Sequence, residues 1–131
     1  MMKTCLLSGN FALDTIVVRE YPNGFIHGRR NAFTETVVEE CVGNTCGNVA
    51  CILPYLGVQT FPIAHLDKSE QGIKIKEDLQ RYGADVRFVE NSACGGTTLL
   101  RCTHKRDNAT GERVTTFRAT SPGSQFPKRK Y

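Results

Sequence analysis

The chain has no tryptophan, no apolar run long enough to cross a bilayer and no two cysteines at C-x-x-C spacing, and each absence removes a class of function. A transmembrane helix needs about 20 predominantly apolar residues, so no membrane partner is expected. Residues 1–7 carry one lysine and a short apolar run that stops at Gly9-Asn10. That is too short for a secretory core and lacks a small-residue cleavage pattern, so the expected compartment is the cytoplasm. Cys41, Cys46 and Cys51 stand five apart, a spacing that turns successive side chains by well over a right angle on a helix and gathers no ligand set. The six cysteines are therefore read as small buried hydrophobes in a reducing compartment. His27, His65 and His104 stand apart from them, and no metal is expected.

Charge is nearly balanced. Seventeen Lys and Arg against 13 Asp and Glu leave +4, scattered except for Lys128-Arg129-Lys130. Nucleic-acid binding calls for a basic stripe with interleaved aromatics, and none is present. No Gly-x-x-x-x-Gly-Lys-Ser/Thr phosphate loop occurs, and no Gly-x-Gly-x-x-Gly follows the first apolar run, which disfavours P-loop and dinucleotide-binding folds.

What the chain does have is Val42-Gly43-Asn44-Thr45-Cys46-Gly47-Asn48-Val49-Ala50, a polar, glycine-punctuated turn joined to an apolar helix. Gly43 and Gly47 permit close backbone approach, and Asn44 and Asn48 bring amides to a helix mouth where free N–H groups collect. Such a turn suits a small ligand; it also suits an ordinary strand-to-helix connection.

At 131 residues the chain is one domain by length. Residues 3–8 read as a strand buried on both faces. Asp14 precedes an extended stretch over 16–19, the turn Tyr21-Pro22-Asn23-Gly24 follows, and 34–42 alternates without a wholly apolar face. The spacing predicts a helix over 45–56 with Val49, Ile52, Leu53 and Leu56 inward, ended by Gly57 and kinked or shortened by Pro54. A strand over 58–65 leads to a helix that begins with a capping-box-like Asp67 and Glu70. In it Ile75, Leu79 and Tyr82 face inward, and Gly83 closes it. Residues 85–90 return as a strand, and 97–105 with 112–119 form a hairpin around a Gly-containing loop. The alternation predicts a parallel sheet flanked by helices.

In this order the first apolar run, Ser8-Gly9-Asn10, Asp14, the Gly43–Ala50 segment, Phe61-Pro62-Ile63-Ala64-His65-Leu66-Asp67, Glu70-Gln71-Gly72, Gly83-Ala84-Asp85-Val86, Gly95-Gly96-Thr97-Thr98 and Gly111-Glu112-Arg113 resemble the front part of the ribokinase-like (pfkB) carbohydrate kinases. The resemblance runs from about residue 3 to about residue 118. It implies a partial ribokinase-like α/β fold, with core segments 1–13 and 43–94 and a small β-lid from 14–42 and 95–119. Family members are more than twice as long and carry a Gly-Ala-Gly-Asp signature with the general base, and an Asn-x-x-Glu magnesium motif; neither occurs here. The expectation is a substrate-binding front part that carries out no phosphoryl transfer alone and has no catalytic residue of its own. ATP and Mg would belong to the complete enzyme.

A sugar presents hydroxyls that both donate and accept, so its site wants a carboxylate and an amide. By resemblance Asp14 and Asn48 hold hydroxyls and Gly43 lets the ring lie on the backbone. Asn10 and Asn44 are further candidates, Asn44 standing where the family commonly has a second glycine. Each has a plainer role: Asp14 as a turn residue, Asn48 as a helix cap. Arg101 is either a contact for an acidic sugar or a solvated edge residue. The alternative function is a non-catalytic sugar-binding or dimerisation module, and a homo-oligomer through lid strands or an exposed sheet edge is expected.

Overall fold

The computed structural model describes residues 2–120; the Lys128-Arg129-Lys130 triplet lies outside them. In chain order the elements are β1 (Thr4–Ser8), β2 (Ala12–Tyr21), β3 (Thr34–Gly43), α1 (Asn44–Tyr55), β4 (Gln59–Leu66), α2 (Glu70–Arg81), β5 (Val89–Asn91), β6 (Thr98–Asp107) and β7 (Arg113–Thr120). They make two sheets. A parallel body sheet has the order β1-β4-β5, and a mixed sheet has the order β3-β2-β6-β7 with β2 and β6 parallel at its centre. Phe11, Leu13, Val42, Ala50, Ala64, Leu66, Ile75 and Leu79 form the core between them and the helices. This is the expected partial α/β architecture with a second small sheet.

Several local expectations are corrected. β1 is not buried on both faces: it is the edge of the body sheet, so Leu7 packs on the core while Leu6 is 63% exposed. Asp14 does not precede a strand but lies inside one, because the apolar run Phe11-Ala12-Leu13 already enters β2 at Ala12. The inward face of α1 is Gly47 and Ala50, whose small size lets the helix lie close to the sheet. Ile52 and Leu56, expected inward, are exposed instead. Pro54 sits in the last turn and the helix continues through it to Tyr55; the Leu56 amide donates back to Ile52 and Leu53, and Gly57 follows at φ 82°.

The N-cap of α2 is Ser69, not Asp67. The Ser69 hydroxyl accepts from the Gly72 amide at 3.0 Å, and Asp67 in turn accepts from the Ser69 amide and hydroxyl. Ile75 and Leu79 are fully buried as expected, but Tyr82 is half exposed, and Asp78 is buried beside Lys74 and Arg81. β5 is only three residues long, since Asp85 and Arg87 pair with each other in the preceding loop. The cysteines are all free; five are half-buried rather than fully buried and Cys94 is exposed. Burial pushes the Cys51 thiol up to about 11, with Asp78 adding to the effect.

Candidate functional site

The start of β2, the end of β3 and the first turn of α1 meet at one point. Ala12 is paired with Gly43, and Asp14, two residues along the same face, with Cys41. The Asp14 carboxyl group leans onto Gly43 so closely that a β-carbon there would fall on it. A side chain there would force itself or the Asp14 carboxyl to move. One oxygen, Oδ1, is shielded from solvent and has no hydrogen-bond partner among the described residues. Burial raises the Asp14 carboxyl above its ordinary value near 3.8, and no cation among the described residues offsets the effect. An unused acceptor is unfavourable in the isolated fold, and because Asp14 as a whole is only half-buried its carboxyl group stays open to a ligand that donates a hydrogen bond.

The other expected site residues distribute around this junction. Asn44 begins α1 at φ 67°, the one non-glycine positive φ among the described residues, and its side-chain oxygen accepts from the Thr45 amide at 3.0 Å. Asparagine tolerates this left-handed conformation better than most residues, which explains a polar side chain at a glycine-like position. Asn48 stands one turn further along α1, exposed, and does not cap it; the N-cap position is Gly43, without a side-chain cap. Asn10, in the link from β1 to β2, accepts at Oδ1 from the Thr98 hydroxyl at 3.1 Å. Thr98 is paired with Ala12 and Ala12 with Gly43, so Asn10 is tied to the same row. The structure thus brings Asp14, Gly43 and Asn44 together, anchors Asn10 beside them and leaves Asn48 exposed on the adjoining helix.

Register decides which lid residues share the Asp14 face. Directly paired residues point the same way and neighbours along a strand alternate. Cys41, Asp14, Leu100 and Ala119 form one row, and Glu39, Ile16, Cys102 and Phe117 the next. Leu100, Cys102 and Phe117 are site neighbours that the sequence did not single out, because the β2–β6 pairing that places them is not local. Arg101 is paired with Thr15 and points to the opposite face, where it and Arg19 pair with Glu35. It is not positioned to meet a ligand at Asp14.

A second polar cluster lies at the carboxyl ends of β4 and β5. Burial pushes the Asp67 carboxyl up, and hydrogen bonds, chiefly from Ser69, more than reverse it, so it lies below the usual range. Thr97 Oγ1 is buried beside Asp67 without the geometry of a hydrogen bond. Asn91 donates to the Asp67 carbonyl, and His65 contacts the Ser92 hydroxyl. These bonds hold the α2 N-terminus and its flanking loops together. Among the described residues no three His, Cys, Asp or Glu side chains gather as a metal site, and no helix is long and apolar enough to cross a membrane.

Neither a family model nor a curated protein matches the chain. Solved structures do. A fructokinase from Xylella fastidiosa with bound ATP is 20% identical, with a TM-score of 0.57 over 89% of this chain and 33% of its own. The 2-dehydro-3-deoxygluconokinase from Thermotoga maritima is 17% identical, with a TM-score of 0.61 over 99% and 35%. A PfkB protein from Polaromonas sp. JS666 is 16% identical, with a TM-score of 0.65 over 95% and 37%. The chain has the fold of part of a PfkB-type sugar kinase. It spans about a third of the length of these kinases. The mixed sheet stands where the resemblance leads one to expect a small β-lid, and Asp14 and Gly43 lie where it meets α1.

Proposed function

We propose that the chain supplies the acceptor-binding part of an ATP-dependent carbohydrate kinase, the part that holds a sugar whose hydroxyl receives the phosphoryl group. The observation that carries this reading is the half-buried Asp14 carboxyl group, without an ion pair among the described residues, pressed on Gly43 in a fold shared with sugar kinases. A sugar hydroxyl donates to the Asp14 carboxyl group, the ring lies against the Gly43 backbone, and the amides of Asn48 and Asn44, with Asn10 beside them, complete the polar lining. Charge-assisted hydrogen bonds of this kind contribute about 1.5–3 kcal/mol each. That suffices to orient a sugar.

Phosphoryl transfer needs more: a base for the hydroxyl proton, and groups that neutralise charge on the transferred phosphate. Bound ATP and Mg would supply the phosphoryl group and part of that neutralisation. The residues described do not fit them, since they offer neither a metal-holding cluster nor a Gly-x-x-x-x-Gly-Lys-Ser/Thr loop, and no transfer step is assigned to this chain. Residues 1–131 are expected to bind sugar in the cytoplasm without turning it over. Titration calorimetry with a panel of pentoses and hexoses should give heat that Asp14→Ala abolishes, and a coupled ADP-release assay should stay at background. Heat that survives Asp14→Ala, or sugar-dependent ADP release, would contradict the reading.

A second reading is a dimerisation module. It is favoured by the exposed Val37, Val38, Val114 and Phe117 on the lid's two edge strands, β3 and β7, because unpaired edges with apolar side chains seek partners. Sedimentation showing a dimer that Phe117→Lys dissociates would support it, and a clean monomer would count against it.

A further inference from the structure

The charge around Asp14 narrows the substrate class. α1 contains no charged residue from Asn44 to Tyr55, and Ser8, Gly9, Asn10 and Phe11, which link β1 to β2, are uncharged as well. On the lid, Cys41, Leu100 and Ala119 flank Asp14, and the next row adds one charge, the acidic Glu39. The arginines nearest in register, Arg101 and its cross-strand neighbour Arg118, belong to the opposite face, along with Arg19. Among the described residues of this sheet, arginines return to the Asp14 face at the row of Arg106 and Arg113, opposite Glu20. Six residues of strand, about 20 Å, separate that row from Asp14, too far for a monosaccharide held at the carboxylate.

Asn44 adds the complementary group. Its oxygen is committed to the Thr45 amide, so its NH₂ is the free part of the side chain, one residue from the glycine on which the Asp14 carboxylate rests. Asp14 accepts and Asn44 donates. We infer that the site takes a neutral polyol and rejects sugar acids, Asp14 accepting from one hydroxyl and the Asn44 amide donating to an adjacent sugar oxygen. A carboxylate on the sugar would meet the charge of Asp14 or Glu39, and Lys74, the cation felt at Cys41, is already paired with Asp78. This inference rests on the sugar-binding reading proposed above and divides the solved kinases of this fold, which include both a fructokinase and a 2-dehydro-3-deoxygluconokinase.

Titration calorimetry with D-fructose and D-ribose against D-gluconate and D-glucuronate tests it. The neutral sugars should bind at least ~10-fold more tightly than the acids, the discrimination expected of one unbalanced charge worth ~1.4 kcal/mol. Asn44→Gly should keep or raise the melting temperature, since glycine relieves the positive φ, while weakening neutral sugars several-fold. Acids that bind as tightly as neutral sugars would overturn the charge argument, and Asn44→Gly with unchanged affinities would overturn the role of the amide. Failure of every sugar to bind would instead overturn the sugar-binding reading and this inference with it.

Discussion

Gly43→Ala probes the contact at the centre of the candidate site. Gly43 has φ −143°, in the extended region open to alanine, so the cost is steric: the new methyl falls on the Asp14 carboxyl and one of them must move. Overpacking of this kind costs about 1–3 kcal/mol, and the reduced freedom of the unfolded chain returns about 0.4–1 kcal/mol. The net expectation is a loss of about 1–2 kcal/mol, which lowers the melting temperature by roughly 3–10 °C for a chain of this size. In an Asp14→Ala background the three atoms nearest the new methyl are gone, so Gly43→Ala should cost much less. Urea unfolding of the four proteins closes the cycle, with an expected coupling of about 1–2 kcal/mol. Additivity within about 0.5 kcal/mol, the scatter of independent sites, would show that the carboxyl does not rest on Gly43 and would refute the reasoning.

Asp14→Asn should be more stable than the wild type at pH 7. Burial raises the folded-state pKa of Asp14 above its unfolded value near 3.8, so the ionised group costs stability above the raised pKa, and the cost vanishes as pH falls below 3.8; the variant's lead in urea melts should shrink on acidification, and a lead that grows would be inconsistent. Ser69→Ala removes the α2 cap and should cost about 1 kcal/mol. Asp67, which Ser69 helps hold below its ordinary range, contributes stability above its unfolded pKa that is lost as pH falls through the lower folded value, so thermal melts of Ser69→Ala should show a weaker acid loss than the wild type. Arg101→Ala should cost at most about 1 kcal/mol as a partly exposed ion pair with Glu35 and leave sugar affinity within about twofold by calorimetry; a large affinity loss would place Arg101 on the ligand face after all.

What the sequence showed clearly was local. Gly57 and Gly83 end their helices at positive φ, and Asp107 with Gly111 makes the β6–β7 turn by accepting from the Ala109 and Thr110 amides, because turn chemistry is written in adjacent residues. The Gly43 turn and the acid at position 14 were legible as separate features. Their contact was not, since it depends on the β2–β3 register, as the face of Arg101 depends on pairing across some 86 residues between β2 and β6. The α1 stripe misled for a related reason. Val49, Ile52 and Leu56 repeat like a core face, yet close packing on the sheet selects the smallest residues, Gly47 and Ala50, and turns the larger ones outward. Buried Asp78 gave no signal, as its partners Lys74 and Arg81 read equally well as a solvated helix surface.

The most direct test of the account is a crystal structure of the chain soaked with a neutral sugar. It should place a ring hydroxyl about 2.7 Å from an Asp14 carboxyl oxygen, with the ring over Gly43 and the Asn48 amide turned toward the same molecule. Density for the sugar elsewhere, or an Asp14 oxygen satisfied by the protein's own groups with the sugar absent, would contradict the claim that this carboxylate is held ready for a polyol.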